Sequence, residues 1–239
     1  MHRSYHRWHS PNLGRGMELL VFGHAGMRVL AFPTSRNRFY EWENQGLVRS
    51  LSGQLDEGRI QLFCVDGIDE ESWYAWHKWP GDRAWRHAQY DAYLREEAVP
   101  FTRRLNPHRF LTVVGPSFGG YHAVNFGLRH PDLVGRMLGL SGIYDIRRFT
   151  SGHTDHNIYC NNPCDFVAGE GDPRRLEALR RLDIILAVGN TDRLLEDSQR
   201  LSGLLWSKGV WNALRIWDGF AHDWPAWEHM LRLYLHGHD

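Results

Sequence analysis

The chain has 239 residues, 42% hydrophobic and 23% charged, the balance of an ordinary globular protein, so disorder and fibrous repeats are excluded. Its 28 Lys and Arg match its 28 Asp and Glu, which removes the basic surplus expected of a nucleic-acid binder. No run of 18 apolar residues exists to span a membrane, and the length suits one α/β domain over residues 1–239.

In chain order, the opening Met1-His2-Arg3-Ser4-Tyr5-His6-Arg7-Trp8-His9 lacks the apolar stretch of a signal peptide. Three cysteines give no disulfide framework, although Cys160 and Cys164 are near enough in sequence to pair, and a cytoplasmic location is expected. Strand-like runs follow at Glu18–Gly23 and Met27–Pro33, joined by Gly23-His24-Ala25-Gly26, a hairpin signal. Further runs lie at Gln61–Asp66, Arg109–Gly115, Arg136–Ser141, Leu182–Gly189 and Asn212–Trp217. Several of these are continuous Val, Leu, Ile and Phe, as strands covered on both faces require. Helical periodicity falls at Gln89–Arg104, Phe118–Arg129, Leu194–Lys208 and Trp224–His236, the last opened by Asp223 and Pro225. The reading is an α/β protein with a mixed, mostly parallel sheet, helices on both faces and an antiparallel N-terminal hairpin. Residues 145–175 break the alternation and read as an insertion shaping a site entrance.

Between a buried strand and a helix stands Gly115-Pro116-Ser117-Phe118-Gly119, of the form G-x-S-x-G. A sharp strand-to-helix turn forces its serine into a strained conformation, and small residues two places either side relieve the clash. The hydroxyl of Ser117 then stands free above the sheet, and the Phe118 N–H points toward a developing oxyanion. A phosphate loop is excluded because neither G-x-x-x-x-G-K-[ST] nor G-x-G-x-x-G occurs here. A serine needs a base, and the base an orienting acid. Asp192 follows the strand Leu182–Gly189 by three residues, and His222 follows Asn212–Trp217 by five, which sets all three on one rim of the sheet. Among 15 histidines, His24, His122 and His229 are competitors for the base. They lie in the hairpin, one turn past the serine and inside the last helix. Asp145, Glu196 and Asp197 are alternatives for the acid.

With these residues in view, the chain resembles the putative-esterase (esterase D-like) family of the α/β-hydrolase superfamily. The resemblance rests on Gly115-Pro-Ser-Phe-Gly-Gly-Tyr121, Gly189-Asn-Thr-Asp192 and Phe220-Ala-His-Asp-Trp-Pro-Ala-Trp227, and extends from about Met17 to Leu235. It implies an α/β-hydrolase fold, a Ser117/Asp192/His222 triad and a second oxyanion donor after the second strand-like run. In this chain that donor is the backbone N–H of Thr34 or Ser35; the His-Gly-Gly loop of many hydrolases is absent.

The expected activity is a cofactor-free, metal-free serine esterase acting on a small-molecule ester of small to medium acyl group, compatible with an oligomer. An acyltransferase using the same acyl-enzyme, or a non-catalytic binding protein, are the alternatives. Because His222 must be neutral, activity is expected to rise through about pH 6–7. Trp73, Trp76, Trp79 and Trp85 read either as an aromatic platform or, in preference, as cover for the sheet edge. His153-Thr-Asp155-His156 reads as entrance lining in preference to a metal site.

Overall fold

In the computed structural model, which describes residues 1–235, eight strands form one sheet in the order β1-β2-β4-β3-β5-β6-β7-β8. They are β1 (Arg3–Ser10), β2 (Arg15–Phe22), β3 (Met27–Ala31), β4 (Ile60–Val65), β5 (Leu111–Pro116), β6 (Arg136–Leu140), β7 (Asp183–Gly189) and β8 (Ala213–Trp217). From β4 through β3 to β8 every pair is parallel, whereas β1–β2 and β2–β4 are antiparallel.

The N-terminal antiparallel hairpin exists, but it is β1–β2, with Arg3 opposite Phe22 and Ser10 opposite Arg15. Gly23–Gly26 makes no hairpin: β4 inserts between β2 and β3, so this segment carries the chain across a neighbour. Gly26 is a glycine because a Cβ there would lie 2.1 Å from the Arg59 carbonyl oxygen and its φ is +88°. β1 carries no aliphatic residue, and its coverage comes from Trp8, whose ring stacks on Tyr93 and Phe101 at 5.9 and 5.2 Å.

Side chains alternate between two cores, as the pleat dictates. Val113, Ile184 and Leu186 face one core with Tyr90, Ala123, Val124, Leu128, Leu201 and Leu205. Those residues come from helices α1 (Pro80–Tyr93), α3 (Phe118–Arg129) and α4 (Leu195–Ser207). α1 runs on through a π-helical turn, Leu94–Ala98, into α2 (Val99–Leu105). Val114, Leu138 and Ala187 face the other core with Trp42, Leu47, Leu55, Trp227 and Met230. This side is covered by short helical turns over residues 41–56 and by α5 (Trp224–Tyr234). The expected extension of α5 to His236 lies outside the described residues.

Residues 145–175 form a 3-10 turn, Ile146–Phe149, and short helices at His156–Cys160, Pro163–Gly169 and, ending beyond this stretch, Pro173–Leu179. No helix among the described residues is long and apolar enough to cross a membrane.

Candidate active site

Ser117 sits at the turn from β5 into α3 with φ 55° and ψ −121°, a conformation that costs an L-residue about 1–3 kcal/mol. Its N–H is anchored on the Leu140 carbonyl at 2.8 Å, which ties the turn to β6. The glycines of the motif have a steric reason. A Cβ on Gly115 would lie 2.3 Å from Gly119 carbonyl atoms, and one on Gly119 would lie 2.6 Å from the Pro33 oxygen. The turn therefore presses α3 directly onto the β3 loop.

His222 Nε2 lies 3.0 Å from Ser117 Oγ, and His222 Nδ1 lies 3.0 Å from each oxygen of Asp192. With a carboxylate facing Nδ1, that nitrogen carries the proton, so Nε2 is free to accept from the serine hydroxyl. Two neighbouring strand ends hold the pair in place. Asn190 N–H donates to the Trp217 carbonyl at 2.9 Å, and Thr191 Oγ1 donates to the Phe220 carbonyl at 2.6 Å. Asp192 is buried, and burial alone would push its carboxyl up. Hydrogen bonds from His222, the Ser141 hydroxyl and the Leu194 N–H instead hold it below the usual carboxylate range.

The competitors fall elsewhere. Asp145 pairs with Arg147 and Arg200, Asp197 with Arg148, and Glu196 is exposed. His229 packs on Trp217 and Phe220. His24 is exposed beside Gly58. His122 is buried and bonds Asp69, with its Nε2 at 2.9 Å from Oδ1.

Of the two expected loop donors, Thr34 is corrected: its N–H is taken by Glu41 Oε2 at 2.6 Å. The Ser35 N–H has no acceptor among the described residues, and the loop that carries it packs on Gly119 through Phe32 and Pro33. Carboxylates grip the loop on both sides of it. Glu41 takes the N–H and hydroxyl of Thr34, and Asp69 Oδ2 takes the Arg36 N–H at 2.9 Å while Oδ1 faces His122. Arg36 adopts a left-handed φ of 59° in this grip.

The aromatic segment divides. Trp73 is wholly buried, its indole N–H donating to the Tyr121 hydroxyl at 3.0 Å. Trp76 is exposed and stacks on Phe149 at 5.4 Å, and Phe149 lies 5.5 Å from the Phe118 ring. Trp73 shares a buried cluster with Phe118, the residue after the serine, and Trp76 reaches it through Phe149; neither ring contact is with β1 or β8, the edges of the sheet. Residues 145–175 thus reach the site through Phe149. His153 Nε2 lies 3.3 Å from Asp155 Oδ2, whereas His156 faces Cys160, so the two histidines do not converge. Cys64, Cys160 and Cys164 are free thiols.

Three participants left no mark in the motif reading: Glu41, Asp69 and Ser141. Each acts through a contact distant in sequence. The signal closest to a trace is the tryptophan that ends His222-Asp-Trp-Pro-Ala-Trp227, whose indole N–H bonds the Ser141 hydroxyl at 3.0 Å.

A family model described as putative esterase matches residues 40–232. Among solved structures, a ferulic acid esterase aligns at TM-score 0.78 and 19% identity, over 98% of this chain and 96% of that one. An S-formylglutathione hydrolase from Agrobacterium tumefaciens aligns at TM-score 0.73 and 14% identity, over 96% and 91%. The feruloyl esterase module from Clostridium thermocellum, an S954A mutant complexed with sinapinate, aligns at TM-score 0.68 and 12% identity, over 99% and 88%. At these identities the likeness is one of fold, and the fold is that of the α/β-hydrolases. In sequence, no curated protein matches the chain.

Proposed function

The chain belongs to the putative esterase family, and from that premise we propose that it is a serine hydrolase of carboxylic esters working through an acyl-enzyme on Ser117. The observation that carries the reading is the continuous hydrogen-bonded line Ser117 Oγ–His222 Nε2–His222 Nδ1–Asp192, at 3.0 Å per step.

Ser117 Oγ attacks the ester carbonyl while its proton passes to His222 Nε2. Asp192 keeps the imidazole in the tautomer that can accept that proton and stabilises the imidazolium that forms. The N–H groups of Phe118 and Ser35 take the oxyanion; one such donor is worth about 3 kcal/mol of barrier. As the tetrahedral species collapses, the C–O bond to the alcohol breaks and His222 returns the proton to the leaving oxygen. Water then repeats the sequence on the acyl-enzyme, with His222 as base, and frees the acid.

The test is intact-mass spectrometry after treatment with a fluorophosphonate. One adduct on the wild type and none on Ser117→Ala is the expected result. No adduct on either protein would favour a non-catalytic binding protein on the same fold.

A further inference from the structure

Ser35 keeps both of its hydrogen-bond donors free in a loop whose neighbouring donors are taken. Glu41 holds the N–H and the hydroxyl of Thr34 at 2.6 and 2.7 Å, and Asp69 holds the N–H of Arg36 at 2.9 Å. The Asn37 side-chain amide donates back to Thr34 Oγ1 at 3.0 Å. Between these fastenings, neither the N–H nor the O–H of Ser35 finds an acceptor among the described residues. What reaches the Ser35 oxygen is another donor, the Tyr74 hydroxyl at 2.8 Å.

The direction of that bond follows from the two groups. A phenol, with a pKa of about 10, is far more acidic than an alkyl hydroxyl, so Tyr74 donates and Ser35 accepts. One lone pair of Ser35 Oγ is thereby occupied, and its own hydrogen must point elsewhere. Tyr74 is held in this position. Its backbone N–H donates to the Asp69 carbonyl at 2.9 Å, and its half-buried ring packs edge-on against Phe118 and Phe149, 5.2 Å from each. Phe118 carries the other expected oxyanion donor, so Tyr74 touches both residues that are to hold the oxyanion.

We propose that Ser35 offers the oxyanion two donors, its N–H and its hydroxyl, and that Tyr74 polarises the hydroxyl. As Ser117 Oγ adds to the ester carbonyl, the C=O π pair settles on oxygen, and the Ser35 O–H donates to that oxygen without giving up its proton. When the C–O bond to the alcohol breaks, the pair returns to re-form the carbonyl. A hydrogen bond to an oxyanion is roughly twice as strong as one to a neutral carbonyl, so the help falls on the transition state and appears in kcat more than in KM. The run Tyr74 O–H, Ser35 O–H, oxyanion is a chain in which each bond strengthens the next. Ser35 is then a catalytic residue and Tyr74 a positioning one. The inference rests on the esterase reading and adds a side-chain donor to its backbone pair.

The experiment compares the wild type with Ser35→Ala, Ser35→Thr, Tyr74→Phe and the Ser35→Ala/Tyr74→Phe double variant. Two probes are used: turnover of phenyl acetate, and inhibition by phenyl trifluoromethyl ketone, which Ser117 converts to a tetrahedral adduct bearing the oxyanion. Ser35→Ala keeps the N–H and loses the hydroxyl; kcat is expected to fall about 10²-fold and ketone affinity by a similar factor, with KM near the wild-type value. Ser35→Thr keeps both donors and is expected to restore most of the loss, which separates the hydroxyl from the fit of the loop. Tyr74→Phe is expected to lower kcat about threefold in the wild-type background and not at all in the Ser35→Ala background. Wild-type kcat in Ser35→Ala, a fall in kcat with ketone affinity unchanged, or the same Tyr74→Phe factor in both backgrounds would overturn the proposal. The wild type's own turnover of phenyl acetate reports on the esterase reading, whereas the ratios between variants report on Ser35, so the two failures are distinguishable.

Discussion

The indole N–H of Trp227 donates to the Ser141 hydroxyl at 3.0 Å, and that hydroxyl in turn serves the Asp192 carboxylate. The same indole meets the His222 ring edge-on at 4.9 Å. One residue of α5 thus buttresses both the acid and the base, which accounts for the tryptophan five places after His222.

Ser141→Ala removes a hydrogen bond to a charged group, an interaction worth about 1.5–3 kcal/mol, and about 1.4 kcal/mol of barrier is tenfold in rate. Ser141→Ala is expected to lower kcat by about tenfold or more with KM little changed, and Trp227→Phe by a smaller factor. Steady-state kinetics on a neutral phenyl ester checks both. A change confined to KM would mean that Ser141 does not act through Asp192.

A second prediction concerns the loop that carries Ser35. The carboxylates of Glu41 and Asp69 hold the N–H groups of its two neighbours, Thr34 and Arg36. Losing an oxyanion donor outright costs about 10²–10³ in kcat, and a donor turned a few tenths of an ångström costs part of that. Asp69→Asn replaces one acceptor oxygen by an NH₂ that cannot accept from both His122 and Arg36. Its kcat is expected to fall at least tenfold, while thermal unfolding stays cooperative and KM stays near the wild-type value. Unchanged kcat would remove Asp69 from the positioning of Ser35.

The pH dependence of stability has a source separate from the triad. His87 is buried among Trp73, Tyr90, Tyr121 and His122, and burial pushes its imidazole well below the ordinary 6.5. The unfolded chain binds that proton near pH 6.5 and the folded chain does not. The stability contribution is therefore fully present above about 6.5 and is lost as pH falls toward the folded value. Melting temperature is expected to drop between pH 7 and pH 5, above the carboxylate range, and to drop less in His87→Gln. Equal slopes in the two proteins would assign the loss to other groups.

What could be read from the sequence, and what could not, divides by range. The strand expected at Leu182–Gly189 is observed at Asp183–Gly189, and Ser117, Asp192 and His222 each follow a strand by a few residues. Such positions are set by local chain geometry, so a linear pattern reports them. Arg3–Ser10 has no aliphatic alternation to mark it as a strand; it is β1 by virtue of pairing with β2 and of cover from Phe101. Gly23–Gly26 has the composition of a hairpin, but which strand lies next to β3 is decided by burial of the apolar β4 on both faces, a tertiary matter. Glu41, Asp69 and Ser141 sit in turns or strand ends where nothing nearby in sequence marks them. They meet the site only after the sheet has assembled.

The strain at the serine gives the last prediction, which needs no substrate. At φ 55° and ψ −121° an alanine is as strained as the serine, whereas a glycine is not. Ser117→Ala and Ser117→Gly both lose the hydroxyl and its bond to His222, so their difference isolates the backbone. In an ordinary strand or helix the glycine variant would be the less stable by about 0.5–1 kcal/mol. Here the order is expected to reverse, with Ser117→Gly more stable by about 1 kcal/mol, or roughly 2–4 °C in Tm for a chain of this length. Differential scanning calorimetry of the two variants reads it directly. If Ser117→Ala melts higher, the turn is relaxed, and the hydroxyl is not held out by the backbone in the way the attack requires.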